Sequence, residues 1–257
     1  MDKASIAGVL LALAGIVAGL LIEGGNLGQI IQPTAALIVF GGTMGAVLLQ
    51  FPFATVVAAF RSMARIFAPP HTQNDHVMSQ LLVFANKARR LGVVSLDSDL
   101  KSVEDPFLRQ SLMLAIDGTE PSELRKIMRV TLDSTMEIED RLPAVFEAAG
   151  GFSPTIGILG AILGLIQVMK NLEDIQAVGR GIAVAFVATI YGVGIANLFF
   201  LPFAGKMRIR LREEHQRREM VLEGVICILE GMNPRMLAIK LEGFLDDAGR
   251  QRKERAA

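Results

Sequence analysis

The sequence predicts an all-α integral membrane protein. It has four transmembrane helices, a helical cytoplasmic insert between helices 2 and 3, and a helical cytoplasmic tail. Three observations lead there. Residues 5–22, 34–49, 152–169 and 181–203 form four long apolar stretches, each near the roughly 20 residues that a bilayer span requires. None of them carries a charged side chain at its centre. Of the 26 Lys and Arg residues, 23 fall in residues 61–141 and 206–255.

Taken in order, the first run follows Lys3 as a signal peptide would, but no small-residue cleavage site succeeds it and three further runs remain. An uncleaved first helix is expected. The segment 23–32 that joins the first two runs holds no Lys or Arg, and only Lys170 and Arg180 lie between the last two. By the positive-inside rule both short loops face outward, and the middle segment, the tail and both termini face the cytoplasm. The expected divisions are 1–60, spans 1 and 2; 61–150, the insert; 151–204, spans 3 and 4; and 205–257, the tail.

Phe51-Pro52-Phe53 interrupts the second span, and residues 54–66 continue as an amphipathic helix. Ala68-Pro69-Pro70 marks entry to the insert. There Val77, Leu81, Phe84 and Ala88 share one helical face. Gly92 ends that helix, and Ser95 can cap the next. Pro121 opens a longer helix that carries Ile127, Val130, Met136 and Leu142, and Gly150-Gly151 is expected to hinge the chain into the third span. The insert reads as too small and too charged to fold apart from the membrane helices. The tail begins as a charged helix whose mixed-sign surface is expected to be solvated. Asn233-Pro234 breaks it before one more short helix over 237–245, and residues 251–257 are expected to be disordered.

The composition excludes several classes. Net charge is +0, so nothing draws the whole protein to nucleic acid. One cysteine, Cys227, rules out an internal disulfide framework, and three scattered histidines show no ligand spacing. There is no phosphate loop, no Ser-His-Asp pattern and no paired-His motif. No enzyme activity, metal or cofactor is expected. A protein that moved ions alone would normally hold an ionisable group inside the membrane. If this one moves ions, a partner must supply that group.

The remaining chemistry sits in small and polar residues. Gly157, Gly160 and Gly164 allow close helix approach in lipid. Thr155, Thr189 and Asn197 are mid-membrane polar groups that either line a wet path or bond back to their own helix. Pro154 and Pro202 are helix punctuation or hinges. Arg89, Arg90 and Asp97 surround a helix end, as solvated surface or as a docking patch that steers a charged partner.

Together these features resemble the MotA/PomA family, the flagellar motor stator subunits. The residues carrying the likeness are Glu23-Gly24-Gly25, Gly41-Gly42-Thr43, 89–97, 154–164, and Tyr191-Gly192 through Pro202, spread over nearly the whole chain. The resemblance implies a ring of five copies in the inner membrane around two copies of a MotB-type partner, which supplies an ion-carrying aspartate. It implies that ion flow turns the ring against the rotor protein FliG. Arg89 and Arg90 match rotor-facing cations, while Asp97 stands where the family usually has glutamate. Pro154 and Pro202 match prolines that couple ion flow to torque, and Thr189 a threonine near the ion path. Sodium-driven members have threonine where this chain has Ala161 and Ala188. Hydroxyl oxygens suit a hard cation shedding water, so their absence favours protons. Two alternatives stand beside this reading: an ExbB/TolQ-like energiser ring, with three spans, and a non-conducting membrane scaffold. A lone secondary transporter fits less well, since no inverted-repeat signal is present.

Overall fold

The protein, seen in a computed structural model, is described over residues 3–66 and 74–244. No strand occurs among those residues. Eight α-helices succeed one another: α1 (Lys3–Ile22), α2 (Pro33–Gln50), α3 (Phe53–Ile66), α4 (Asn74–Leu91), α5 (Pro106–Ile116), α6 (Pro121–Lys170), α7 (Ile175–Leu229) and α8 (Pro234–Glu242). Two 3-10 segments, Leu27–Gln29 and Val93–Ser102, sit between α1 and α2 and between α4 and α5. The expectations for Ala68-Pro69-Pro70 and for residues 245–257 lie outside the described residues.

The chain divides into two compact units, Met1–Pro69 with Asp140–Ile209, and Pro70–Glu139 with Arg210–Ala257. In the first unit, α2 and the corresponding parts of α6 and α7 are long and apolar enough to cross a membrane, and α1 adds a shorter apolar run, Ile6–Ile22. Pro52 separates α2 from α3, as the sequence suggests. Two π-helical turns interrupt the spans, Leu37–Gly41 in α2 and Ala196–Phe200 in α7. The second lies just before Pro202, where the Leu201 N–H reaches back to the Ala196 carbonyl. Proline has no N–H for the next bond of the ladder.

The expected hinge at Gly150-Gly151 is absent. α6 runs unbroken for 50 residues, through both glycines and through Pro143 and Pro154. Gly150 serves packing: a β-carbon there would lie 2.6 Å from Leu201 Cδ2 on α7.

The second unit has its own core, built jointly by insert and tail. Leu81 of α4, Leu96, Leu108 and Leu112 of α5, Met220 and Ile226 of α7, and Leu237 and Leu241 of α8 are all buried in it. From α6 the buried residues are Leu124, Met128 and Leu132, spaced one helical turn apart. Ile127 and Val130 of the same helix are exposed. Ser95 caps nothing; it sits inside the 3-10 segment, and its hydroxyl donates to the Gly92 carbonyl at 2.6 Å. The charged stretch of α7 is only partly solvated, since the Arg217 side chain is 11% exposed and pairs with both Asp105 and Glu214.

Candidate functional site

Small residues bring α6 and α7 into backbone contact. A β-carbon on Gly157 would stand 2.9 Å from the Ala188 carbonyl oxygen, and one on Gly164 2.8 Å from that of Gly181. On Gly192 it would come within 2.5 Å of the Ser153 carbonyl oxygen. These neighbours are backbone atoms, which cannot swing aside. Lipid offers helices no hydrophobic drive to associate, so close approach of this kind is what holds such a pair together.

That contact positions the candidate ion-path residues. Ala188 is fully buried with Ala35, Val39 and Val187, and its β-carbon would meet one placed on Gly160 at 2.8 Å. Ala161, one residue further along α6, is half-buried. Thr155 is exposed and its hydroxyl donates to the Phe152 carbonyl at 2.8 Å; the half-buried Thr189 donates to the Ala185 carbonyl at 3.2 Å. Asn197 likewise bonds back to Val193 at 2.9 Å. Each donor is thus held by its own helix, while the hydroxyl oxygens keep lone pairs that can accept. Pro154 is half-buried in the middle of α6, and Pro202 exposed in α7 beyond the π-helical turn.

Arg89 and Arg90 stand exposed in the last turn of α4, and Asp97 exposed in the following 3-10 segment. The acid that closes back onto α4 is Asp99, which binds Lys87 at 2.6 Å. Gly92 turns the chain between them with φ +82°, a conformation that side-chain-bearing residues rarely adopt. Leu91 and Val94 lie exposed within the same turn, 69% and 70% accessible.

Ionic ties also hold the second unit together. Asp105 caps α5 by accepting from the Leu108 N–H at 2.9 Å, and it also binds Arg217. Burial opposes its charge, yet that amide and the guanidinium prevail and hold its pKa below the usual carboxylate range. Glu223 behaves alike: burial raises it, while Arg125 and Lys240 outweigh that and leave it lowered. Burial pushes the Cys227 thiol up. No group of His, Cys, Asp and Glu suited to a metal occurs among the described residues.

Sequence reasoning missed one tie in the first unit. The Tyr191 hydroxyl donates to the Ile30 carbonyl at 2.5 Å and accepts from the Gln32 N–H at 3.3 Å. It pins the loop before α2 onto α7, and its ring lies 6.1 Å from that of Phe40. As the chain's single tyrosine, set in an apolar run, it carried the only available signal.

Closely packed apolar spans without an ionisable group at their centres, beside a separate charged unit, define a helical membrane protein. Family comparison agrees: residues 99–220 match the MotA/TolQ/ExbB proton channel family, and residues 6–92 match the motility protein A N-terminal model. The chain is 31% identical to motility protein A of Bacillus subtilis, over 95% of its own length and 91% of the relative's. It is 27% identical to chemotaxis protein PomA of Vibrio alginolyticus, over 97% and 98%. Its fold matches the structure of C. jejuni MotAB with TM-score 0.91 and 30% identity, covering 96% of this chain and 97% of that one. It matches the flagellar MotAB stator complex from Bacillus subtilis with TM-score 0.89 and 30% identity, covering 98% and 99%. The chain belongs to the motility protein A family of flagellar stator proteins. That family consists of ion-channel components and not of enzymes.

Proposed function

We propose that this chain pairs with a MotB-type subunit in the inner membrane, carries protons past it, and delivers torque to the rotor protein FliG. The observation that carries this reading is the end-to-end likeness to two MotAB structures, joined to spans without a central charge. The partner supplies the titrating aspartate. Five copies surround two partner chains, with four spans in each copy and both termini in the cytoplasm, as the distribution of cations favours. The insert and tail are then the cytoplasmic unit that meets the rotor.

Arg89, Arg90 and Asp97 form the rotor-facing surface. All three are exposed, and none has an ion pair or side-chain hydrogen bond among the described residues, so their charge is free to steer a partner. Pro154 and Pro202 transmit changes in the packing of α6 and α7. The absence of hydroxyls at Ala161 and Ala188 suits a proton better than sodium, since a desolvated sodium ion needs oxygen ligands. Thr155 and Thr189 lie along the same path.

The deciding experiment is swimming of a stator-deleted host that expresses this chain with its cognate partner. Motility should persist without sodium and collapse with a protonophore. Sodium-dependent swimming would overturn the proton reading and leave the stator intact. Failure to swim with the cognate partner, when both chains reach the membrane, would overturn the stator reading. Reversing Arg89 and Arg90 to aspartate should stop rotation without loss of ion flow.

A further inference from the structure

The turn that closes α4 presents more than charge. Leu91 and Val94 stand largely accessible, although Ala88 and Leu96 beside them are buried in the core of the second unit and Val93 packs against it. A single exposed apolar residue is ordinary on a protein surface. Here two occur within four positions, and Arg89, Arg90 and Asp97 stand exposed around them. The turn is also fixed in shape. The Gly92 N–H donates to the Ala88 carbonyl at 2.8 Å, and the Gly92 carbonyl accepts from the Ser95 N–H at 3.2 Å and from the Ser95 hydroxyl at 2.6 Å. Lys87 reaches across to the Ser98 hydroxyl at 3.0 Å and to Asp99 at 2.6 Å. A surface held in this way has little freedom left to lose when it binds.

Charge accounts for encounter better than for residence. Exposed charges act mainly on the rate of association, and exposed ion pairs in water hold weakly. Burial of apolar area is what slows dissociation. We propose that Leu91 and Val94 are the apolar anchor of the rotor contact. They seat in a cleft of the rotor protein whose rim carries acidic groups opposite Arg89 and Arg90 and a cation opposite Asp97, the arrangement of an apolar centre inside a polar rim. The inference rests on the rotor reading above, and it assigns the lifetime of that contact to two uncharged residues. The charge on Asp97 speaks against an anionic membrane as the occupant, since such a surface would repel it.

The test is the kinetics with which the stator complex, this chain and its MotB-type partner in nanodiscs, binds immobilised FliG of the same host. Leu91→Ala with Val94→Ala should raise the dissociation rate about thirtyfold, through loss of most of two buried apolar side chains, and change association little. Arg89→Gln with Arg90→Gln should slow association about tenfold at low salt and leave dissociation near the wild-type rate. Leu91→Ile with Val94→Ile keeps the apolar area and should restore slow dissociation. Unaltered dissociation in the double alanine variant overturns the anchor. Equally fast dissociation in the isoleucine variant also overturns it, because the shape of the turn and not its apolar area would then matter. Loss of assembly with the partner chain in the alanine variant would place the pair between copies of this chain. Loss of sedimentation with phosphatidylglycerol vesicles, with FliG binding intact, would place it on lipid. Either result overturns the proposal. A wild-type complex that does not bind FliG at all overturns the rotor reading, and the anchor with it.

Discussion

The two units are packed on opposite plans. In the first, the most apolar stretch of α6 turns its large side chains outward: Ile158, Leu159, Ile162, Leu163, Leu165 and Ile166 are each about half exposed. Glycine and alanine fill the contact with α7. In the second, leucine, methionine and isoleucine fill the interior and charged pairs cover it. Water drives the second arrangement, because burying apolar area there stabilises by about 25 cal/mol per Å². Lipid removes that drive, so the first unit depends on short backbone distances. Its stability should therefore answer to steric change, and the second unit's to polar and ionic change.

The largest effect is expected where the first unit has no room. Gly192→Val places side-chain atoms where one β-carbon already stands 2.5 Å from the Ser153 carbonyl oxygen. Overpacking of this kind costs on the order of 3 kcal/mol or more when backbone must move. No assembled complex and no swimming should result. The matched control is Gly45→Ala, whose added β-carbon meets nothing within 4 Å, and it should assemble normally. Equal loss in both variants, measured by pull-down of the partner chain, would break the steric account.

In the second unit the corresponding weak point is a charge pair. Asp105 and Arg217 are 12% and 11% exposed in their side chains. Arg217→Met leaves Asp105 half-buried without its cation, at a cost of about 3 kcal/mol. Thermal melting of the complex should fall by several degrees, with protease cutting first in residues 102–117. Adding Asp105→Asn should recover part of the loss, because the orphaned charge is gone while a side-chain oxygen can still cap α5.

Acid separates the units next. Asp105 and Glu223 titrate below their ordinary values in the native protein. The folded second unit thus binds fewer protons at low pH than its unfolded chain does. The stability these groups contribute is full above the unfolded values near pH 4, and it disappears as pH falls through the lowered native ones. Between about pH 4.5 and 3, hydrogen exchange corrected for intrinsic rate should accelerate in α5 and in residues 214–229. Residues 156–168, without a carboxylate, should hold their protection; uniform acceleration would remove the ionic explanation for the second unit.

This contrast also marks what the sequence could tell. Uninterrupted apolar runs and the clustering of cations made the helical membrane class legible, and Pro52, Gly92, Pro121 and Pro234 placed real helix ends. Glycine was harder to read. At Gly92 it bends the chain; at Gly150 it admits Leu201 into a continuous helix, and the letters alone do not distinguish a freed backbone from a missing side chain. The buried stripe of α6 was not legible either: Leu124, Met128 and Leu132 face the core while Ile127 and Val130 are exposed. A helix of 3.6 residues per turn offers several apolar stripes, and only the neighbours, here α5 and α7, decide which one is buried. At the candidate site the sequence supplied the small and polar residues. It could not supply the partners across the fold, such as Asp105 with Arg217 or Tyr191 with Ile30, which lie more than a hundred positions apart.

The smallest effect sharpens the comparison most, because it tests a polar contact inside the unit that otherwise relies on sterics. Tyr191→Phe keeps the ring beside Phe40 and deletes only the hydroxyl. The Ile30 carbonyl and the Gln32 N–H then lose their shared partner. Both belong to a half-exposed loop that water can reach, so the cost should be about 1 kcal/mol, one net hydrogen bond. The complex should assemble and swim, with faster hydrogen exchange confined to residues 27–33. Exchange that spreads along α7 would mean that the tyrosine supports the helix pair itself, and that the first unit depends on polar ties as well as on close packing. Unchanged exchange would leave the loop held by Asn26 and Gln29, which close a capping box of their own around its 3-10 turn.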